Sequence, residues 1–336
     1  MNNQRKKRTT SQDVADLTGV SRATVSAHLN KTRYVSPELS NKIEKAIKKL
    51  NYIPDPIARA LKLHDLKTIG IITPVLSSFY TPMLNSINKI ALANNYDFLL
   101  GSSEEDFQKE RELVNLFISK RISGILIIPT SNKNKDFLNQ IINNYMVPIV
   151  QVNRKIDGFM ASSVVSNNNE SIYKATKHLI VSGKRKIALL GCDLRSYAGD
   201  MKRKGYEKAI NEYGYEEIIV YSKEHDKNDI YKIFNNLLDK NKNIDGLICT
   251  TQTKTKIALD LLKSRNIKIP DNISVIGYSA DSWCKLVNPP LTVISENMYK
   301  MGEIATNLLL KMLEEGIDKS IQNVVIQNEF IIRKST

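Results

Sequence analysis

Cations are the residues with the clearest chemistry at the N-terminal end. Arg5, Lys6, Lys7 and Arg8 form one basic run, Arg22 stands alone, and Lys42, Lys45, Lys48 and Lys49 follow at short intervals. Residues 1–67 hold 14 Lys/Arg and 6 Asp/Glu, a net of +8 out of +14 for all 336 residues. More than half of the excess charge therefore sits in a fifth of the length. Such a distribution is the electrostatic footprint of a segment that meets a polyanion.

Reactive chemistry is poorly represented. Cys192, Cys249 and Cys284 are odd in number and far apart, with neither a disulfide framework nor zinc-ligand spacing. The four histidines (His28, His64, His178, His225) are scattered, so no metal is expected. No GxGxxG or GxxxxGK[ST] loop, Ser/His/Asp set or pair of carboxylates stands after an apolar run. The expectation is no enzyme and no cofactor. The N-terminus lacks an apolar signal region, and no apolar stretch approaches the ~20 residues of a membrane span. A cytoplasmic, nucleoid-associated protein without a membrane partner is expected.

The basic residues need short helices to present them. Thr10 or Ser11 can cap a first helix, with Asp13 and Asp16 near its positive end and Val14, Ala15 and Leu17 on its apolar side. Gly19 suits the left-handed turn that stops it. Ser21 can cap a second helix, Arg22–Leu29. Two short helices around a glycine turn have the helix-turn-helix pattern, whose second helix enters the major groove. Ser36 and Pro37 open a third helix carrying Leu39, Ile43, Ile47 and Leu50 at helical spacing, its four lysines on the solvated side. Asp55 and Pro56 announce a fourth, about Pro56–Leu63. So short a helix is marginal alone and should order only when packed.

Further along, short apolar runs such as Ile69–Thr73, Ile125–Ile128 and Ile187–Leu190 alternate with amphipathic stretches such as Phe107–Ser119 and Tyr299–Leu313. That rhythm means parallel sheets with helices on both faces. Some 270 residues of it suit two doubly wound lobes, with a ligand at the carboxyl ends of the strands. The fold class expected is an all-α head on an α/β body.

The runs GVSRATVSAHLN, LNYIPDPIARALK, TIGIITP, RISGILIIP, IKIPDNISVIGYS and NPPLTVISENMYKMGEIA, in that order, resemble the LacI/GalR family of transcription regulators over nearly the whole chain. The resemblance implies a head over residues 1–54, a hinge helix and linker over 55–66, and a periplasmic-binding-protein-like body over 67–336. One lobe would take about 67–162 and 294–322, the other about 163–293 and 323–336. It places base reading at Arg22, Ala23 and Ala27. There an arginine can grip guanine O6 and N7, worth about 1–3 kcal/mol of discrimination, while alanine touches only a thymine methyl. Thr10, Ser21, Thr24, Ser26 and Asn30 would position the helix on the DNA backbone. His28 stands where an apolar residue is common and reads as partly packed. Leu61 would wedge into the minor groove, with Ala58 facing the twin helix and Lys62 near phosphate.

The implied effector positions are Tyr80, Asn153, Arg154, Lys202, Arg203, Gln252 and Ser279. Several acidic residues usual in the family's sugar sites are replaced here, Ser279 standing for an aspartate. A carboxylate accepts charge-assisted bonds that an amide or hydroxyl cannot match. The three basic residues favour an anion such as a sugar phosphate over a neutral sugar, and a protein co-regulator is equally open. The expected function is a repressor that binds a palindromic double-stranded operator as a homodimer. The chain ends just after FIIRKST without a further heptad helix, which favours a dimer. A transporter-type solute-binding protein would share the body, but it lacks a reason for the head and a secretion signal.

Overall fold

The computed structural model describes residues 9–52, 67–192, 196–221, 227–241, 243–279, 282–317 and 321–336. The chain divides into two units, Met1–Leu66 and Lys67–Thr336.

In the first unit, helices α1 (Ser11–Thr18), α2 (Arg22–Asn30) and α3 (Pro37–Leu50) enclose a small core of Val14, Ala15, Val25, Ile43 and Ala46. Thr10 caps α1 in a reciprocal capping box with Asp13, and Gly19 ends it at φ 68°. Ser21 and Ser36 cap the next two helices through the amides of Thr24 and Leu39. Each cap satisfies an amide that the first helical turn leaves without a partner. Leu39, Ile47 and Leu50 pack on the core, whereas Leu17 does not and stays 43% exposed. Thr18 takes its place. Its hydroxyl bonds back to the Val14 carbonyl at 2.7 Å, so a polar side chain is buried without an open donor. The hinge segment with Ala58, Leu61 and Lys62, and the arm Arg5–Arg8, lie outside the described residues.

The second unit holds two six-stranded sheets. The first takes β1 (Thr68–Thr73), β2 (Asp97–Ser102), β3 (Gly124–Ile127), β4 (Ile149–Asn153), β5 (Ser162–Ser166) and a late strand, Asn323–Ile326. Its order is β2-β1-β3-β4-β5 with the late strand outermost, all parallel. The second sheet takes β6 (Ile187–Cys192), β7 (Ile218–Tyr221), β8 (Gly246–Cys249), β9 (Ser274–Tyr278) and β10 (Thr292–Ser295), ordered β7-β6-β8-β9-β10. Numbering the late strands β11 (Asn323–Ile326) and β12 (Glu329–Ile331), β12 closes the second sheet antiparallel to β10.

The lobe boundaries differ from expectation by about one strand. β5 and β11 keep residues 163–166 and 323–326 in the first lobe, and β10 keeps 294–295 in the second. Hydrogen-bond pairing fixes the crossing points, and β5 is buried between β4 and β11. Helices Asn168–Val181 and Tyr197–Glu212 pack closely in the second lobe, and Thr81–Ala93 and Met298–Glu315 in the first. Among the described residues no helix is long and apolar enough to cross a membrane.

Candidate functional site

Two places gather side chains with recognition chemistry, one in each unit. In the head, capping by Ser21 brings Arg22 and Ala23 to the exposed first turn of α2. The Arg22 guanidinium reaches back to the Ser11 hydroxyl, with Nε donating at 3.0 Å. That contact is exposed, and so is readily exchanged for another acceptor. Ser21 and Thr24 hydroxyls lie 2.9 Å apart, and Asn30 Nδ2 donates to the Ser26 carbonyl at 2.9 Å. Thr10 is spent on its capping box.

Ala27 departs from expectation: it is buried, 4% exposed, and presents no methyl for a base. With nothing beyond Cβ, alanine cannot reach outward over its neighbours. A cation that sequence reasoning passed over stands nearby instead. Arg33, exposed in the loop after α2, donates from Nη2 to Thr24 Oγ1 at 3.2 Å. The pattern of α2 could not reveal it, because Arg33 lies outside the helix. His28 is half-buried, with Nε2 3.8 Å from Glu44 of α3, and Lys42, Lys45, Lys48 and Lys49 are exposed.

In the body, the carboxyl ends of β4, β8, β9 and β10 converge with the turn after β1 on a cavity of about 80 Å³. Tyr80, Asn153, Arg154, Lys202 and Gln252 all line it. Tyr80 packs edge-on against Phe79, centroids 5.1 Å apart. Asn153 ends β4 at φ 63°, a conformation asparagine tolerates, and its Nδ2 donates to Glu296 at 3.3 Å. Arg154 is 4% exposed and forms a bidentate pair with Glu105, both contacts 2.9 Å. The Lys202 ammonium donates to the Thr250 carbonyl at 2.9 Å and lies 3.7 Å from the centroid of the Tyr278 ring. The Tyr278 hydroxyl sits 2.6 Å from a Glu296 oxygen.

Two expected members fall away from the cavity wall. Arg203 pairs with Asp200 at 2.7 Å and with Glu207 on its own helix, partnerships that hold its guanidinium protonated. Successive helix residues point about 100° apart, so Lys202 and Arg203 cannot share a face. Ser279 is buried one layer back, its hydroxyl 3.4 Å from the Gln252 amide. Two carboxylates were not anticipated: Glu296, which lines the cavity, and Glu105, which meets it through Arg154. Glu296 directly follows the β10 run Thr292–Ser295, and that adjacency was a readable signal; Glu105 had none. Beside them Glu110 is buried, and burial pushes its carboxyl above the usual range against the bonds from Asn134 and Thr130.

A capped helix-turn-helix head with an exposed arginine, joined to a two-lobed body with a strand-end cleft, defines a DNA-binding regulator as a class. Residues 10–55 match the bacterial regulatory proteins of the lacI family, and residues 176–336 match the periplasmic binding protein-like domain. The chain is 31% identical to the HTH-type transcriptional regulator RegA of Clostridium saccharobutylicum, covering 98% of this chain and 99% of that one. It is 30% identical to the HTH-type transcriptional repressor PurR of Histophilus somni, covering 97% and 98%. In fold it resembles the Lac repressor dimer bound to operator and the anti-inducer ONPF: TM-score 0.85, 22% identity, 98% and 99% covered. The chain belongs to the LacI family of bacterial transcription regulators. These relatives are regulators and not enzymes, in line with the sequence.

Proposed function

We propose that this chain is a homodimeric transcriptional repressor, held in the cytoplasm at the nucleoid, that reads a palindromic operator and is modulated through its body. The observation that carries this reading is the exposed pair of arginines, Arg22 and Arg33, on either side of the capped start of α2. Arg22 and Ala23 are the base-facing positions, with Arg33 joining them and Ala27 withdrawn. Ser21, Thr24, Ser26 and Asn30 grip the backbone. Leu61, Ala58 and Lys62 act at the operator centre, within the segment 55–66 that joins head and body. RegA and PurR, named as transcription regulators, support the regulatory role, and the operator-bound Lac repressor dimer supports the assembly.

Edge strand β2 also favours pairing of two copies. Leu99 and Leu100 are 38% and 41% exposed there, and Leu92 of the preceding helix is 56% exposed. An uncapped apolar sheet edge invites association. The cleft between the lobes takes a small-molecule effector. At about 80 Å³ the cavity is well under the ~300–1,000 Å³ of pockets that enclose a drug-sized ligand. The effector therefore selects a more open arrangement of the lobes, and that shift changes DNA affinity.

Selecting bound fragments from a random DNA pool with the full-length protein tests the reading. A two-fold symmetric consensus is expected, with a guanine in each half-site at the Arg22 position. Retention of fragments without any consensus would refute it.

A further inference from the structure

We infer that Glu105 sets the charge specificity of the cleft: its carboxylate occupies Arg154 and so excludes anionic ligands. The inference rests on the reading of the cleft as an effector site, and deepens it.

Arg154 is the cleft cation best built to hold an anion. Its planar guanidinium offers parallel N–H groups that match a carboxylate or phosphate bidentately. In this protein two of those N–H groups already serve Glu105, at 2.9 Å each, and the pair is largely shielded, with side-chain exposures of 5% and 26%. An incoming phosphate would have to displace a carboxylate held at effectively high local concentration. It would also meet the negative charge of Glu105 at close range.

The position of Glu105 is a committed one. Asp106 donates its amide to the Ser103 carbonyl at 2.9 Å, closing a turn whose central residues Glu104 and Glu105 have φ of 52° and 58°. That is the type I′ pattern, usually filled by glycine and asparagine. Two glutamates in left-handed conformation are strained, and the turn is tied down on three sides. Glu105 N–H donates to the Pro74 carbonyl at 3.1 Å, Lys109 binds Glu104, and Asp106 caps the following helix. Held in this way, the turn delivers the Glu105 carboxylate to Arg154 of the cleft lining, 49 residues away in sequence.

The other candidate cations do not make up for Arg154. Lys202 is engaged with the Thr250 carbonyl and the face of Tyr278, and Arg203 lies off the cavity wall. Glu296 puts a carboxylate in the lining itself, and Glu105 adds a second one through Arg154. Both cations of the lining are therefore engaged by the protein's own groups, which suits an uncharged ligand rich in hydrogen-bonding groups.

The test measures inorganic phosphate binding by calorimetry and by thermal shift on the full-length protein, comparing wild type, Glu105→Gln, and Glu105→Gln with Arg154→Met. Wild type should show no saturable binding at millimolar phosphate. Glu105→Gln should gain it, with affinity at least about tenfold tighter, and phosphate should raise its Tm. The double variant should lose both gains. Should Glu105→Gln be too unstable to titrate, a phosphate-dependent rise in its Tm, absent from the double variant, still reads the effect. Equal phosphate affinity in wild type and Glu105→Gln, or a gain that survives in the double variant, would overturn the inference. A separate measurement follows operator affinity with and without phosphate. If Glu105→Gln binds phosphate while operator affinity stays fixed, the charge assignment stands and the reading of the cleft as an effector site fails.

Discussion

Arg22 carries a prediction that separates reading from mere attraction. Replacing it with alanine removes a group able to hold guanine in two places, so about 1–3 kcal/mol of preference should vanish at one base pair per half-site. Competition binding against operators varied at each position checks this. An equal loss on every sequence would make Arg22 a phosphate contact instead. Cys249 gives a contrasting case of chemistry withheld. Burial pushes its thiol up to about 12, leaving almost no thiolate at neutral pH. Native protein treated with iodoacetamide at pH 8 should remain unlabelled at Cys249 by peptide mass mapping and become labelled once unfolded. Labelling in the native state would mean that the second-lobe core opens readily. Residue types alone made these two assignments possible only in part. The sequence marks Arg22 because a capping serine precedes it. It cannot show that Ala27 turns inward, nor that Arg33 returns to Thr24 from outside the helix.

At the scale of elements, a glycine lets two helices of the second lobe approach closely. At Gly205, on Tyr197–Glu212, an added Cβ would lie 2.1 Å from the Asn169 carbonyl oxygen on Asn168–Val181. The obstacle is backbone, so it cannot rotate away. Gly205→Ala should therefore force the helices apart and cost about 1–3 kcal/mol, as overpacking does. Chemical denaturation checks it, and an unchanged midpoint would mean the pair slides without penalty. The control is Gly214→Ala, where nothing lies within 4 Å and only the left-handed φ of 68° is at issue. Most elements were legible, because buried parallel strands read as short apolar runs and the caps at Thr10, Ser21 and Ser36 are local signals. The lobe crossings were less so. β5 (Ser162–Ser166) and β11 (Asn323–Ile326) belong together through pairing across about 160 residues, which no local pattern records. The same limit hid Glu105. Lys202 and Arg203 were both expected at the cleft, and only Lys202 lines it, because adjacent helix positions look alike until the neighbouring sheet is known.

The whole molecule joins a basic head to a body whose cleft cations, Arg154 and Lys202, are engaged by the protein's own groups. In the proposed function, specific binding requires two heads on one two-fold operator, with its affinity modulated through the body. Much of the attraction is electrostatic, so it should fall steeply with salt for any DNA, while the preference for the selected operator persists. The most direct measurement is the affinity of the full-length protein for its selected palindrome and for a scrambled duplex of equal length, across 50–200 mM salt, with stoichiometry read at saturation. Two chains per duplex are expected, with a preference of about 10³-fold or more that survives at every salt concentration. Equal affinity for both duplexes, falling together as salt rises, would contradict it.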